Sequence, residues 1–195
     1  SMKPKYTVTS KTPPPNSLAW LAATPSSKAR RDVCWLRPVP RGERALTEAI
    51  TLRADVPRGQ YNLALVLEQR GRGADARAAY EAEVAKNPKN YGAQFNLAKL
   101  LLKDGRLADA TARFRAAVEA RPEFAEGYLY LAKALLDGGD LPGAQKAAQD
   151  GLARKPQPSI APLGHYVLAD VFSRLGRENE AARQVALARR LEQPR

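Results

Sequence analysis

The chain has 195 residues, of which 44% are hydrophobic and 27% are charged, a composition that excludes wholesale disorder. Its 32 basic and 20 acidic residues give a formal charge of +12, which attracts acidic partners of several kinds without choosing among them. One cysteine, Cys34, and one histidine, His165, exclude an internal disulfide, a Cys/His zinc site and a histidine cluster. The longest run near the N-terminus without charge or proline, 16–24, is far shorter than the roughly 20 apolar residues of a membrane-spanning helix, so we expect no integral membrane protein.

The first segment, 1–40, differs in composition from the rest. It holds seven of the 15 prolines, both tryptophans and a net charge of +6, which predicts a basic, mostly irregular arm with an extended stretch at its proline run. Exposed tryptophans are unfavourable, so we expect the apolar side chains of the arm to dock on the rest of the protein or on a second copy. These side chains are Leu18, Trp20, Leu21, Trp35 and Leu36.

Beyond the arm, residues recur with a period of 34, the signature of stacked helical hairpins. Four columns share this period: Gly71, Gly105 and Gly139; Pro88, Pro122 and Pro156; Ala64, Ala98 and Ala132; Ala76, Ala110 and Ala144. A fourth copy places Ala169, Gly176 and Ala181 37 residues beyond their counterparts. Each copy reads as an apolar helical stripe, a glycine turn and a second stripe, and a proline ends each of the first three.

The pattern predicts nine helices in chain order. The first, near 43–54, lies in a leading segment, 41–56, that we interpret as the remnant of a further repeat capping the array. The others lie near 57–70, 73–87, 91–103, 107–120, 125–137, 141–154, 162–175 and 178–192. Glycine can adopt a left-handed cap conformation where each first helix ends.

These columns resemble the tetratricopeptide repeat family, with small residues at the helix crossing, an aromatic residue in the second helix and a late proline. The resemblance covers 57–195 and implies an all-α, right-handed superhelical solenoid of about four repeats, near 57–90, 91–124, 125–158 and 162–195. Tyr80 and Phe114 supply the aromatic residue, while Ala148 replaces it and predicts thinner packing. Glu83 is a second departure, because the family prefers a small residue there.

The resemblance also implies a concave groove lined by the second, fifth, sixth, ninth, twelfth and thirteenth residues of each first helix. We expect peptide binding there by Tyr61, Asn62, Leu65, Gln69, Phe95, Asn96, Lys99, Lys103, Tyr130, Lys133, Asp137, Tyr166, Asp170 and Arg174. Asn62 and Asn96 can each donate and accept hydrogen bonds with an extended peptide backbone. Lysines flanked by aromatic rings favour an acidic or carboxylate-bearing ligand, although they are also consistent with a solvated face.

The best-defined ligand class of the family is the acidic C-terminal tail of cytosolic chaperones, held by a clamp of lysine, asparagine and arginine. Only Asn96 matches that clamp. Tyr61 and Leu65 replace its first lysine and asparagine, and Glu126 and Tyr130 replace its later lysine and arginine. The sequence therefore does not favour chaperone-tail binding.

Other functions have weaker support. Cys34 and His165 are distant in sequence and in unlike settings, and Glu81, Glu83, Asp137 and Asp140 are predicted at turns and outer faces as solubilising charges and caps. We therefore expect no enzymatic activity, no metal and no cofactor. The alternatives are an accessory domain of, or subunit bound to, a larger enzyme or complex, and a basic nucleic-acid-associated protein with nonspecific contacts.

The predicted function is accordingly a noncatalytic adaptor for a protein or peptide partner. Self-association is a further possibility, through the N-terminal arm or through the C-terminal face around Val185, Leu187 and Leu191, because no polar capping helix follows the fourth repeat. The expected location is cytoplasmic, and the alanine- and arginine-rich repeats have a bacterial composition.

Overall fold

The computed structural model describes residue 48 and residues 58–193. Eight helices run through 58–193: α1 (Gly59–Gln69), α2 (Gly73–Lys86), α3 (Tyr91–Lys103), α4 (Leu107–Ala120), α5 (Ala125–Asp137), α6 (Leu141–Ala153), α7 (Ala161–Arg174) and α8 (Glu178–Glu192). The chain divides into two compact units, Ser1–Ala76 and Arg77–Arg195. Thus α1 lies in the first unit, α3 to α8 lie in the second, and α2 begins in one and ends in the other. In the described part of the chain, no helix has the length and apolar character needed to cross a bilayer.

Some of the expected features fall outside these residues. Glu48 is helical and lies within the predicted leading helix, but the bounds of that helix lie outside the described residues. The arm, 1–40, its apolar side chains and Cys34 lie outside them as well.

The helix bounds agree closely with those predicted from the apolar periodicity. The bounds of α3, α4, α5 and α8 are the predicted ones, and those of the other four helices differ by at most two residues. Local signals set these ends, because apolar spacing defines each helix and glycine or proline interrupts it.

The predicted glycine caps are confirmed at all four turns. Gly71, Gly105, Gly139 and Gly176 have φ angles between 70° and 84°, a left-handed conformation that glycine adopts without a steric penalty. The amide after each glycine donates back into the preceding helix; for example, the Asp140 N–H donates to the Leu135 carbonyl at 2.9 Å. This bond satisfies a carbonyl that the end of a helix would leave unpaired.

In the second unit, antiparallel hairpins stack in chain order. Helix α3 packs on α4, α5 on α6 and α7 on α8, and contacts between α4 and α5 and between α6 and α7 join successive hairpins. The predicted small residues at the crossings are buried, with Ala98, Ala110, Ala132 and Ala144 all 0% exposed. Small side chains let the helix backbones approach closely, so each hairpin buries its apolar face against its neighbours.

An aromatic cluster joins the first two hairpins of this unit. Phe95 of α3 is 5% exposed, and its ring centre lies 5.7 Å from that of Phe114, 4.9 Å from that of Phe124 and 5.3 Å from that of Tyr130. Tilted and edge-to-face contacts of this kind stabilise a core beyond the area they bury. The cluster therefore fixes α3 and α5 relative to each other through α4.

The next interface lacks an aromatic side chain from α6 and uses a leucine instead. Ala148 is fully buried. Leu129 packs against two glycines: Gly151, which lies one turn after Ala148 on α6, and Gly164, which lies on α7. A Cβ atom at Gly151 or Gly164 would lie 2.6 or 2.7 Å from Leu129 Cδ2, closer than atoms can pack. These glycines therefore let Leu129 fill the space between α6 and α7.

The outer-face position predicted for Glu83 is wrong. This side chain is 1% exposed, and its Oε1 accepts hydrogen bonds from Asn87 Nδ2 at 3.0 Å and Asn90 Nδ2 at 2.9 Å. The Asn90 side chain in turn accepts from the Ala93 N–H and caps α3. The protein tolerates burial of Glu83 because its carboxylate accepts these hydrogen bonds. Through them, Glu83 connects the end of α2 to the start of α3.

Candidate functional site

The residues predicted to line the groove lie on α1, α3, α5 and α7, and those on α1 belong to the first unit. On α1, Tyr61, Asn62 and Leu65 are half-buried and Gln69 is exposed. Within the described residues, the Nδ2 atom of Asn62 is buried and has no hydrogen-bond partner, an exception to the rule that buried polar atoms are paired.

In the second unit, a cavity of about 390 Å³ lies between α3 and α5. Its lining consists of Lys99, Leu102, Lys103, Leu107, Tyr130, Lys133 and Asp137. The structure thus brings together five of the predicted residues and adds two leucines that were not predicted. Leu102 occupies the twelfth position of its repeat, one of the inward positions, whereas Leu107 opens the second helix, where the pattern gave no reason to look.

The cavity combines an apolar surface with cations. Leu102, Leu107 and the half-buried ring of Tyr130 supply the apolar part, and the ring of Tyr130 stacks on that of Phe114 at 5.9 Å and 29°. Burial raises the pKa of the Tyr130 hydroxyl above its ordinary value of 10.0, and the charge of Glu126 raises it further. Tyr130 therefore stays protonated near neutral pH and keeps its O–H as a hydrogen-bond donor.

The charges of the cavity are compensated unequally along the repeats. On α5, the Lys133 ammonium donates to both carboxylate oxygens of Asp137, at 2.9 and 3.2 Å. The same two repeat positions on α3 are both lysines, Lys99 and Lys103. Within the described residues, neither of these lysines has a carboxylate within 4.0 Å, so α3 presents two uncompensated positive charges to the cavity.

The side chains of α3 differ in how they reach the cavity. The Lys99 ammonium lies 5.4 Å from the centre of the Phe95 ring, a cation–π contact that directs it along the helix surface. Phe95 itself is buried, and its ring contacts that of Tyr130 with the ring centres 5.3 Å apart, but it does not line the cavity. Asn96 is half-buried and does not line the cavity.

The residues predicted on α7 make contacts with their own neighbours and do not line this cavity. Asp170 accepts from Arg174 through both oxygens, at 3.0 and 3.1 Å. Tyr166 donates to Glu192 Oε2 at 2.8 Å, and this hydrogen bond is the largest of the influences that raise the pKa of the tyrosine. Helix α7 therefore offers a compensated charge pair, whereas on α3 neither lysine is paired with a carboxylate of the described residues.

The groups that were considered for catalysis have structural contacts. His165 Nδ1 lies 2.8 Å from Gln184 Oε1 and joins α7 to α8. The Asp140 side chain accepts from the Gly143 N–H at 2.9 Å and caps α6, as predicted. Among the residues that the structure describes, no three histidine, cysteine, aspartate or glutamate side chains are grouped closely enough to hold a metal ion.

A family model for the tetratricopeptide repeat matches residues 39–91, 95–159 and 131–191. No curated protein sequence matches the chain. Several solved structures share its fold. A crystal structure of MamA is 15% identical, covers 85% of this chain and 91% of its own, and has a TM-score of 0.69.

Two further structures agree with this one. Residues 41 to the end of MamA from Desulfovibrio magneticus RS-1 are 21% identical, with 85% and 94% of the two chains covered and a TM-score of 0.70. A tetratricopeptide repeat protein from Parabacteroides merdae is 19% identical, with 76% and 58% covered and a TM-score of 0.65. At these identities the likeness concerns the fold, and it confirms the predicted all-α repeat solenoid.

Proposed function

The chain belongs to the tetratricopeptide repeat family, whose members are typically noncatalytic protein-interaction modules, and we propose that it is an adaptor that binds an extended, acidic segment of a partner protein between α3 and α5. The observation that carries this proposal is a pair of lysines, Lys99 and Lys103, which lie beside an apolar cavity and have no carboxylate partner within the described part of the chain. A ligand carboxylate supplies the missing counter-charge, and a neighbouring apolar side chain fills the cavity.

The composition of the cavity supports a side chain as its occupant. The cavity is open to solvent, which suits a side chain of an extended segment, and binding sites combine apolar walls with a few polar groups that fix orientation. Leu102, Leu107 and Tyr130 provide the walls, and the two lysines provide the orienting charges. Contacts from Asn62 and Asn96 to the backbone of the bound segment, and contacts from α1 and α7, remain predictions.

Two features favour an interaction module over the alternative classes. The outer helices of the second unit carry mixed charges, such as Arg115 and Glu119 on α4 and Lys146 and Asp150 on α6, whereas contact with phosphates is favoured by a continuous basic surface. The histidine and the acidic caps have structural contacts, which favours a noncatalytic role for the described part of the chain.

The experiment selects random ten-residue peptides on the wild-type protein and measures the affinity of the selected peptides by fluorescence anisotropy. We expect peptides with Asp or Glu next to an apolar residue, and we expect the double variant Lys99→Glu/Lys103→Glu to bind them at least tenfold more weakly. The matched control, Arg115→Glu/Lys146→Glu, makes the same change in net charge on the outer helices. Selected peptides without an acidic residue, or equal losses in both variants, would contradict the proposal.

A further inference from the structure

We propose that Asp137 is a specificity-determining residue that restricts the cavity to a partner segment with a single carboxylate. This inference rests on the proposed function and concerns the same cavity. The carboxylate of Asp137 accepts two hydrogen bonds from the Lys133 ammonium, at 2.9 and 3.2 Å. Asp137 also lines the cavity, so its negative charge lies beside the bound segment. Three lysines line the cavity, and of these the two on α3 have no carboxylate partner among the described residues.

The ion pair is open to solvent, which determines how it acts. The side chains of Lys133 and Asp137 are 42% and 34% exposed, and an exposed pair of this kind contributes little to stability. Its effect on a ligand is different, because a second carboxylate that reaches Lys133 must displace Asp137 and approach its negative charge. The pair therefore excludes a second acidic residue at small cost to the fold.

The repeat geometry gives the spacing at which this exclusion operates. Helices α3 and α5 contact each other through the rings of Phe95 and Tyr130, for which we take the separation of about 8–10 Å usual for packed helices, and an extended peptide advances about 3.3 Å per residue. A ligand that lies across α3 and α5 thus places residues three apart over Lys99 and Lys133. Two acidic residues at this spacing are the arrangement that Asp137 is expected to reject.

The occupant is a segment of a partner and not the arm of this chain. The arm, 1–40, has seven basic residues and a single acidic one, Asp32, so its net charge of +6 is repelled by Lys99 and Lys103. The ligand class is therefore an extended segment with one acidic residue beside an apolar one, in contrast to a polyacidic tail.

The test uses two synthetic ten-residue peptides of glycine and serine with one leucine. The first peptide has a single glutamate next to the leucine. The second peptide has a further glutamate, three residues from the first glutamate. Wild-type protein should bind the two-glutamate peptide about three- to fivefold more weakly than the one-glutamate peptide, because Asp137 repels the second carboxylate. Asp137→Asn keeps the shape of the side chain but removes its charge, and it should strengthen binding of the two-glutamate peptide about three- to fivefold, the effect of one exposed ionic contact.

The control is Asp109→Asn, which removes the charge from an exposed ion pair with Arg106 on the outer helix α4. It should leave both affinities unchanged, and the one-glutamate peptide should bind Asp137→Asn within about twofold of wild type. If wild-type protein binds the two-glutamate peptide as tightly as the one-glutamate peptide or more tightly, or if Asp137→Asn gives no such gain, the role of Asp137 is overturned while the proposed function stands. If neither peptide binds the wild type, the proposed function fails, and the inference fails with it.

Discussion

The guanidinium of Arg154 lies over the ring of Tyr128, with its central carbon 3.9 Å from the ring centre. Its Nε also donates to the Pro122 carbonyl at 2.6 Å, and its Nη2 donates to the Tyr128 hydroxyl at 3.2 Å. The Arg154 side chain, at the end of α6, thus contacts both the turn before α5 and α5 itself. This arrangement depends on a planar group with several donors, which lysine lacks.

We therefore expect Arg154→Lys to lower the free energy of unfolding by about 1 kcal/mol, the combined effect of a partly exposed cation–π contact and the lost hydrogen bonds. Denaturant unfolding followed by circular dichroism measures this change. Arg115→Lys is the control, because Arg115 is exposed on α4 and makes no hydrogen bond or ion pair within the described residues. Equal stability of the two variants would contradict the role given to Arg154.

Replacing the buried carboxylate of Glu83 tests the connection between α2 and α3. Glu83→Ala removes the acceptor of the exposed Asn87 Nδ2 and the half-buried Asn90 Nδ2, and because each hydrogen bond contributes about 0.5–1.5 kcal/mol, we expect the free energy of unfolding to fall by about 1–3 kcal/mol. Glu81→Ala is the control, because this carboxylate is 52% exposed and its contact with Arg77 is long, at 3.9 Å. We expect it to change the free energy of unfolding by less than about 0.5 kcal/mol. Denaturant unfolding followed by circular dichroism compares the two variants. Similar losses in the free energy of unfolding would show that burial of Glu83 is unimportant.

Gly164 is expected to tolerate no side chain. Alanine normally favours a helix over glycine by about 1 kcal/mol, but a Cβ at Gly164 would lie 2.7 Å from Leu129 Cδ2 and 2.9 Å from Leu152 Cδ2. We expect Gly164→Ala to destabilise the protein by about 1–3 kcal/mol through overpacking.

Gly73→Ala is the control for this change, because nothing lies within 4 Å of a Cβ at that position; it should be neutral or stabilising. Leu129→Val shortens the side chain that the new Cβ meets, so the double variant with Gly164→Ala should lose less stability than the sum of the two single variants. Strict additivity in thermal unfolding would argue against a direct clash.

The raised pKa of Tyr130 predicts how stability depends on alkaline pH. In the unfolded chain the tyrosine ionises near 10.0, whereas burial and then the charge of Glu126 raise its pKa in the folded protein. The unfolded state therefore loses this proton first, and the contribution to stability is complete below pH 10 and is lost as the pH rises through the folded-state pKa.

Denaturant unfolding at pH about 9 and about 11 should show a smaller loss for Tyr130→Phe than for the wild type. Absorbance titration of tyrosinate should show one fewer group that ionises late. An identical pH dependence in the two proteins would mean that Tyr130 ionises in its ordinary range.

The sequence by itself determined the repeat architecture of this protein. Helix bounds, glycine turns and the alanines at the crossings, such as Ala98 and Ala132, depend on signals within a few residues and on a period that recurs along the chain. The compensation of Lys133 by Asp137 could also have been found there, because opposite charges four residues apart meet on one helix face.

Only the tertiary structure decided which side chains meet between helices. The periodicity could not show that Phe95 turns into the aromatic cluster, that Leu107 joins the cavity, or that Glu83 is buried against two amides. Each of these outcomes depends on the rotation and separation of neighbouring helices, which are set by packing between side chains far apart in sequence. The repeat period determines on which face of its helix a residue lies. How deeply its side chain is buried depends on the volumes of the side chains that pack against that face.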